Sequence, residues 1–274
     1  RKRKNRKSMN TEAGARYIKE RKTRYLDGTG AAGFVVGISG GIDSAVVSTL
    51  AAMTGRRTLC VTLPIHQAQA QVDRAGEHVR RLAARYPNAE AADADLTAAY
   101  DAFVGSFDPA TVRGVPQGVV DLAGANARSR LRMTALYYFA GLNNLLVAGT
   151  GNKIEDFGVG FFTKYGDGGV DMSPIADLTK TEVYELGRWL QVPEAILAAA
   201  PTDGLFGDDR TDEQQIGASY PELERAMAYA EQGGDPSLLS GREREVNDIF
   251  IRRNRANRHK MEPIPVCRIP SGVR

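Results

Sequence analysis

The feature that most constrains the fold is a short buried strand followed at once by a serine- and glycine-rich turn and a helix. The strand, residues 34–38, reads Phe-Val-Val-Gly-Ile, and such an apolar, β-branched run is typical of a strand buried on both faces of a parallel sheet. The turn, residues 39–44, reads Ser-Gly-Gly-Ile-Asp-Ser. Residues 45–53 have helical composition and stop before Gly55, which suits a left-handed helix cap. This order of elements predicts an anion site above the sheet.

Strands and helices continue to alternate after this first unit. Strands are predicted at residues 58–63 and 145–148, less clearly at 89–93, and helices at 67–84 and 126–142. Further helices are predicted at residues 11–25, 179–190 and 243–257 and after Thr211, with capping boxes at Thr179 with Glu182 and at Thr211 with Gln214. The alternation predicts an α/β fold, a doubly wound parallel sheet flanked by helices, with ligands at the carboxyl ends of its strands. Residues 155–174 and 201–210 are expected to be loops.

Charge separates the N-terminus from the rest of the chain. The net charge of +3 depends on residues 1–7, which carry 6 of the 36 basic residues and no acid; without them the chain has 30 basic and 33 acidic residues. We therefore expect residues 1–10 to be a disordered basic tail, residues 11–274 to form a single domain, and nucleic acid not to be a partner. The alternative for the tail is a contact with a polyanion.

Membrane and disulfide signals are weak in this sequence. No apolar run approaches the roughly 20 residues that a membrane-spanning helix needs. The two cysteines, Cys60 and Cys267, are far apart and suggest neither a disulfide framework nor a metal knuckle. We expect a cytoplasmic protein that has no membrane partner.

The residues of the turn suit a phosphate ligand. Gly40 and Gly41 let the backbone approach phosphate oxygens, and Ser39 and Ser44 add hydroxyl donors at the N-terminus of a helix. Asp43 alone would not suit a phosphate site, because a carboxylate repels a phosphate unless a divalent cation lies between them. The turn therefore predicts Mg²⁺ held partly by Asp43.

Two other phosphate-binding patterns are not supported. Residues 28–33 match the spacing of three glycines in the dinucleotide-binding motif, but they precede the strand instead of following it, so they are interpreted as a linker. The phosphate loop of kinase-type nucleotide sites, in which Gly-Lys is followed by Ser or Thr, does not occur in the chain. Transfer of the γ-phosphate is therefore disfavoured.

The pattern Ser-Gly-Gly-x-Asp-Ser after a first strand resembles the pyrophosphate loop of the N-type ATP pyrophosphatases, whose fold is adenine nucleotide alpha hydrolase-like. Later motifs resemble, in order and spacing, the NAD synthetase family of that superfamily: Gly-Thr-Gly-Asn at 149–152, Glu155, Phe-Thr-Lys-Tyr-Gly-Asp-Gly-Gly-Val-Asp at 162–171 and Leu-Thr-Lys at 178–180. The similarity spans about residues 11–270. The chain departs from the family pattern at two places: Asp203-Gly204 stands where the family often has alanine-aspartate, and Met261 stands where many members have arginine.

The resemblance implies roles for the matching residues. ATP would be bound by Gly37, Ile38, Ser39, Gly40, Gly41, Ile42, Asp43, Ser44, Thr150, Lys180 and Thr202. Mg²⁺ would be held by Asp43 and Glu155, and Asp43 and Lys180 would be the catalytic residues. Deamido-NAD would be bound by Arg130, Lys164, Asp171, His259 and Lys260, with Arg128 and Arg132 as rivals of Arg130.

The resemblance also implies an activity. The family amidates deamido-NAD through an adenylated intermediate and produces NAD⁺, AMP and pyrophosphate. Use of glutamine in the family requires a separate glutaminase domain with a reactive cysteine, for which this chain has no room. Ammonia is therefore the expected direct nitrogen donor, and the alternative is that a partner subunit supplies it. A homodimer is implied as well. The alternatives are the same chemistry on a different carboxylate, a tRNA-modifying enzyme, and a nucleotide-binding module without catalysis.

Overall fold

A computed structural model describes residues 9–202 and 211–274 of the chain. The α-helices are α1 (Thr11–Asp27), α2 (Ile42–Ala52), α3 (Gln69–Arg85), α4 (Thr97–Gly105), α5 (Gln117–Asn143), α6 (Lys180–Trp189), α7 (Glu194–Leu197), α8 (Asp212–Ile216), α9 (Tyr220–Glu231) and α10 (Gly241–Met261). The strands are β1 (Gly33–Gly37), β2 (Arg57–Thr62), β3 (Ala89–Asp93) and β4 (Leu145–Val147). A π-helix covers Ile154–Val159, and short 3-10 helices cover Pro109–Val112, Pro236–Leu238 and Ser271–Val273.

The four strands form one parallel sheet in the order β3-β2-β1-β4. Gly33 at the start of β1 lies opposite Arg57 of β2 on one side and Leu145 of β4 on the other. The chain therefore runs from the inner strand β1 through β2 to the edge strand β3. It then crosses back over the sheet, and β4 pairs with the side of β1 that β2 does not occupy. The gap between the carboxyl ends of β1 and β4 is the topological switch point, where open α/β sheets bind ligands. The predicted doubly wound parallel sheet is confirmed.

Helices cover both faces of the sheet, because successive side chains of a strand point to opposite sides. In β1, Phe34 and Val36 pack with residues of α1, α2 and α6, whereas Val35 packs with residues of α5. All three side chains are fully buried. Burial on both faces explains why residues 34–38 are apolar throughout and do not alternate with polar residues.

A second, smaller core lies next to the sheet. Ile154 and Val159 of the π-helix pack in it with Leu223 of α9 and Phe250 of α10. This packing fixes the π-helix between the two helices. It therefore fixes Glu155, the second residue of the π-helix, close to the carboxyl edge of the sheet.

Several helices differ from the prediction. α4, α7 and α9 were not predicted, and α5 begins at Gln117 instead of Asn126. Nearly all side chains in the first turns of α5 are exposed, so this part of the helix has no apolar face for a periodicity to reveal. The segment 155–174, predicted as a loop, starts inside the π-helix, whose few residues are too short for a recognisable period.

Parts of two predicted segments lie outside the described residues. These are residues 1–8 of the predicted basic tail and residues 203–210 of the predicted loop 201–210. The remaining tail residues belong to the fold: Met9 packs against the core, and the Asn10 side chain caps α1 by accepting a 3.0 Å hydrogen bond from the Ala13 amide. In the part of the chain that the structure describes, none of the helices combines the length and the apolar character needed to cross a membrane.

Candidate active site

The serine- and glycine-rich turn lies at the carboxyl end of β1 and is held by its own side chains. Ser44 Oγ donates to the Gly41 carbonyl at 3.0 Å, the Gly41 amide donates to Ser39 Oγ at 3.2 Å, and the two hydroxyl oxygens are 3.2 Å apart. Among the described residues, no side chain caps the N-terminus of α2. The amides and the positive dipole end of this helix are therefore open to an anionic ligand.

Gly40 is required by the geometry of the turn. Its φ of +82° lies in the left-handed region, and a Cβ atom on it would come within 2.5 Å of the Gln71 carbonyl oxygen in α3. Any other residue would introduce backbone strain and push α3 away from the turn. Glycine at this position therefore lets the turn pass close to the neighbouring helix.

A cavity of about 260 Å³ lies above the turn. Its lining includes every predicted ATP-binding residue, namely Gly37, Ile38, Ser39, Gly40, Gly41, Ile42, Asp43, Ser44, Thr150, Lys180 and Thr202. Glu155, the second predicted metal ligand, also lines it. The lining does not include the predicted deamido-NAD residues Arg130, Lys164, Asp171, His259 and Lys260.

An ion cluster joins three of the lining residues. Lys180 Nζ is 2.6 Å from Asp43 Oδ2 and 2.9 Å from Glu155 Oε1. Asp43 is in the first turn of α2, Lys180 is the first residue of α6, and Glu155 is in the π-helix. The predicted capping box of Thr179 and Glu182 is present and determines where α6 begins. The Lys180 side chain is only 4% exposed.

The three charged groups of the ion cluster shift one another's pKa values. Burial by itself would lower the pKa of Lys180, but the two carboxylates outweigh burial and raise this pKa well above the ordinary lysine value. Burial raises the pKa of Asp43, whereas in Glu155 the effect of burial is outweighed by Lys180 and Tyr220, and the pKa is lowered. When all three groups are ionised, two carboxylates face one ammonium, and the excess negative charge suits a further cation.

Tyr220 extends this cluster. Its hydroxyl is 2.5 Å from Glu155 Oε1 and 3.1 Å from Asp212 Oδ2. Lys180 Nζ lies 4.9 Å from the centre of its ring. Burial, and then the charges of Glu155 and Asp212, raise the pKa of Tyr220 well above the ordinary tyrosine value. The phenol therefore keeps its proton and acts as a hydrogen-bond donor.

The side-chain amide of Asn152 connects the Asp43 carboxylate with the backbone at Glu155. Its Nδ2 donates to Asp43 Oδ1 at 3.1 Å, and its Oδ1 accepts from the backbone amides of Ile154 and Glu155 at 3.1 and 3.2 Å. The Asn152 side chain is fully buried. It thus ties the start of the π-helix to the turn that follows β1.

Asp156 and Asp167 also line the cavity, and neither was given a role from the sequence. Asp156 packs against Gly151, where a Cβ atom would come within 2.0 Å of the carboxylate, and burial raises the pKa of Asp156 well above its ordinary value. Asp167 accepts hydrogen bonds from Ser129 Oγ and from the Thr163 amide, both at 2.8 Å. The cavity is therefore acidic on the side of the π-helix.

Four predicted substrate residues lie together outside this cavity. Lys164 Nζ donates to the His259 carbonyl at 2.6 Å, and Arg130 Nε donates to the Lys164 carbonyl at 3.3 Å. Lys260 Nζ donates to two carbonyls of the loop after the π-helix, at 2.5 and 2.7 Å. α5, this loop and the last turn of α10 thus bring four basic residues to one surface.

Asp171 has a different environment. One carboxylate oxygen accepts from Tyr137 OH at 3.0 Å and the other from the Val147 amide at 2.7 Å. The Tyr25 hydroxyl donates to the Asp171 carbonyl at 3.2 Å. Among the described hydrogen bonds, none joins Asp171 to the four basic residues. Its carboxylate connects β4 with α5.

Tyr220 was not predicted as a site residue from the sequence, and Arg132 was predicted only as a rival of Arg130. Arg132 lines the cavity and donates to the Leu63 carbonyl at 2.9 Å, whereas Arg130 does not line it. Tyr220 opens α9, which was not predicted. The available signal was the capping pair of Ser219 and Glu222, in which the Ser219 amide donates to the Glu222 carboxylate at 2.8 Å.

Comparisons with known proteins agree with this geometry. Residues 15–264 match the family model described as NAD synthase. The NH(3)-dependent NAD(+) synthetase of Carboxydothermus hydrogenoformans is 39% identical over 251 residues, which cover 91% of this chain and 93% of that protein. The NH(3)-dependent NAD(+) synthetase of Syntrophomonas wolfei is 36% identical over 266 residues, which cover 97% and 100%.

A solved structure is also similar over nearly the whole length. The NMN synthetase from Francisella tularensis matches with a TM-score of 0.79 and 31% identity, and the match covers 96% of this chain and 99% of that one. The family model, the two relatives and the fold agree, and the chain belongs to the NAD synthase family.

Proposed function

We propose that the protein produces NAD⁺ by ATP-dependent amidation of deamido-NAD with ammonia. The nicotinate carboxylate attacks the α-phosphorus of ATP, and pyrophosphate leaves. Ammonia then attacks the carbonyl carbon of the mixed anhydride, AMP leaves, and one proton is released. The relatives from C. hydrogenoformans and S. wolfei are NH(3)-dependent NAD(+) synthetases, which supports both the product and the nitrogen donor.

The observation that carries this proposal is the cluster of Asp43, Lys180 and Glu155 beside the turn. Adenylation makes pyrophosphate the leaving group, so negative charge develops on the phosphates above the N-terminus of α2. Free amides at a helix N-terminus bind such charge. Lys180, which stays cationic in its acidic surroundings, stabilises the leaving group electrostatically.

Mg²⁺ suits the same cluster. Carboxylate oxygens are the ligands that Mg²⁺ prefers, and Asp43 and Glu155 share only one ammonium. Within residues 9–202 and 211–274, no three or more His, Cys, Asp or Glu side chains form a metal-binding group. The protein would therefore supply two carboxylates, and phosphate oxygens and water the other ligands. The ion would neutralise phosphate charge, and Lys180 competes with it for the same oxygens.

The four basic residues outside the cavity are proposed to bind the acid substrate. Deamido-NAD has a pyrophosphate and a carboxylate, and both groups call for Arg and Lys donors. Arg130, Lys164, His259 and Lys260 supply positively charged or polar donors on one surface. Asp171 would take part by exchanging its bond with Tyr137 for a donor of the substrate.

A homodimer is proposed from an apolar surface on α4 and α5. α5 has 27 residues, of which only Ala125, Ser129 and Ala140 are buried. Five apolar or aromatic side chains on α5 and just after α4 are each more than half exposed: Phe107, Val119, Leu122, Tyr138 and Leu142. Exposed apolar side chains in this number suit a contact with a second subunit. Arg130 lies on the same helix, so a second subunit there would also border the substrate site.

The cysteines support a cytoplasmic location, and residues 11–274 are proposed to form a single domain. Cys60 and Cys267 are both free, which suits a reducing compartment. Burial raises the pKa of Cys60 to about 12, so this thiol is not a nucleophile that could release ammonia from glutamine.

The experiment is a complete product analysis. The purified protein is incubated with deamido-NAD, ATP, Mg²⁺ and ammonium, and NAD⁺ and AMP are expected in equal amounts together with pyrophosphate. ADP in place of AMP would rule out adenylation. A folded protein that forms no product from deamido-NAD would rule out this substrate.

A second candidate substrate follows from the Francisella tularensis structure. That protein is an NMN synthetase, and the acid form of NMN contains the same nicotinate carboxylate without the adenylate half. Parallel assays with the mononucleotide and dinucleotide acids distinguish the two. A higher kcat/KM for the mononucleotide would assign NMN as the product.

A further inference from the structure

Tyr220 has no assigned role in the proposed reaction, although its hydroxyl contacts Glu155 of the ion cluster. The side chain is only 3% exposed. A phenol has a single hydrogen, so it donates to one acceptor at a time. The contact with Glu155 Oε1, at 2.5 Å, is shorter than the contact with Asp212 Oδ2, at 3.1 Å. The hydrogen is therefore assigned to the bond with Glu155.

Two donors converge on the same oxygen of Glu155. Lys180 Nζ reaches Oε1 at 2.9 Å, and Tyr220 OH reaches the same atom. Their bonds set the rotation of the carboxylate about its last single bond. Asn152 also interacts with the Glu155 carboxylate. The described hydrogen bonds of Lys180 and Tyr220 both end on Oε1, and Glu155 lines the cavity, which leaves Oε2 for a ligand. If Lys180 bonded to phosphates, Tyr220 would remain as the donor that keeps this rotation.

Tyr220 itself is held rigidly. Its amide donates to Glu213 Oε1 at 2.8 Å, and its side chain packs in the second core with Ile216 and Leu223. A hydroxyl on so fixed a ring cannot follow the carboxylate if the latter turns. Such a donor preorganises its partner at little entropic cost when the ligand binds.

We propose that Tyr220 is a positioning residue, whose hydroxyl holds Oε1 of Glu155 and thereby presents Oε2 to the Mg²⁺ of the ATP complex. This inference rests on the proposed function, since it assumes that Glu155 is a metal ligand. It assigns to α9 a direct part in the geometry of the metal site.

The test compares Tyr220→Phe with Tyr229→Phe. Both changes remove one hydroxyl from α9, and Tyr229 OH donates to the Asp235 carbonyl at 2.8 Å, away from the acid cluster. Mn²⁺ affinity is measured by electron paramagnetic resonance in the presence of α,β-methylene-ATP, and kcat and KM are measured with Mg²⁺. For Tyr220→Phe we expect about tenfold weaker Mn²⁺ binding and about tenfold lower kcat, because one charge-assisted hydrogen bond is lost.

The other readouts separate positioning from a general loss of structure. The KM of Tyr220→Phe for deamido-NAD and all constants of Tyr229→Phe are expected within about twofold of wild type, since neither hydroxyl contacts that substrate. Wild-type Mn²⁺ affinity in a folded Tyr220→Phe protein would overturn the inference. A wild-type enzyme that forms no AMP would instead overturn the proposed function.

Asp212→Asn provides a second variant should Tyr220→Phe not fold. It retains the phenol and Glu155 but removes the competing carboxylate, so Mn²⁺ affinity should fall less than threefold. A tenfold loss there would show that the phenol serves Asp212 and not Glu155, and would contradict the assignment.

Discussion

Two lysines with buried side chains, one in the N-terminal helix and one in the active site, have opposite surroundings. Lys22 of α1 is fully buried, and its Nζ lies 4.7 Å above the centre of the Phe34 ring, with no hydrogen-bond partner among the described residues. Burial lowers its pKa to about 7. Lys180 is nearly as buried, but Asp43 and Glu155 raise its pKa.

The comparison shows that burial alone does not distinguish a functional lysine. Desolvation acts on both amines in the same direction, toward the neutral form. Only the paired acids reverse this effect at Lys180, and both acids line the cavity. Lys22 contributes an energetic cost to the core, whereas Lys180 carries a compensated charge that the proposed reaction would use.

The largest expected effect comes from removing the compensated charge. Lys180→Met should lower kcat by about 10³-fold, since a cation preorganised for the leaving pyrophosphate is lost. The same change should strengthen Mn²⁺ binding to the nucleotide-free enzyme, because the ammonium no longer competes for the two carboxylates. Steady-state kinetics and a Mn²⁺ titration measure the two effects.

Lys153→Met is the matched control for this change. Lys153 is also largely buried and paired with an acid, at 3.0 Å from Glu231, but it does not line the cavity. Its loss should leave kcat within about threefold of wild type. Equal losses in the two variants would mean that the Lys180 effect comes from general destabilisation.

The acids of the cluster can be neutralised one at a time. Asp43→Asn and Glu155→Gln should each lower the rate of NAD⁺ formation by about 10²-fold or more, because a proposed Mg²⁺ ligand and part of the charge balance are lost. The rates are measured at saturating Mg²⁺ and again over a Mg²⁺ titration. Near wild-type rates in either variant would contradict the metal-binding role of that residue.

Removing the uncompensated amine should stabilise the fold. Lys22→Met keeps the length of the side chain without its charge, and we expect the free energy of unfolding to rise by roughly 2 to 3 kcal/mol at pH 8. Chemical denaturation followed by circular dichroism measures it. Lys19→Met, a change at a partly exposed position of the same helix, should alter stability by less than about 0.5 kcal/mol.

The benefit of Lys22→Met should depend on pH in a defined direction. The pKa of Lys22 falls from 10.5 to about 7 on folding, so the unfolded state binds more protons between these values. Wild-type stability therefore rises with pH across this window. The difference between variant and wild type should be largest at or below about pH 7 and vanish above about pH 10.5. A constant difference would show that packing, not charge, is responsible.

A third lysine, Lys164, tests the surface outside the cavity. Lys164→Met should raise the KM for deamido-NAD by about tenfold and leave the KM for ATP within about twofold, because a single exposed charge-assisted contact is lost. A change confined to the KM for ATP would place Lys164 on the nucleotide side instead. Initial rates at varied concentrations of each substrate decide between these outcomes.

Contiguous features were readable from the sequence. The strand at residues 34–38, the turn that follows and the first turn of α2 are neighbours in the chain, so an apolar run and a glycine-rich turn were sufficient to predict them. The same holds for the capping box of Thr179 and Glu182 and for the left-handed Gly55, whose φ is +74°. Each of these depends on interactions within a few residues.

The tertiary structure decided which distant residues meet. Asp43 and Lys180 are separated by 137 positions, and their 2.6 Å contact requires the sheet, α6 and the π-helix to be packed together. The contact of Tyr220 with Glu155 and the buried state of Lys22 carry no local signal, because a tyrosine or a lysine has the same sequence pattern in an exposed helix as in a buried one. Packing alone assigns the hydrogen-bond partner of the first and the lowered pKa of the second, since both depend on neighbours that are remote in sequence.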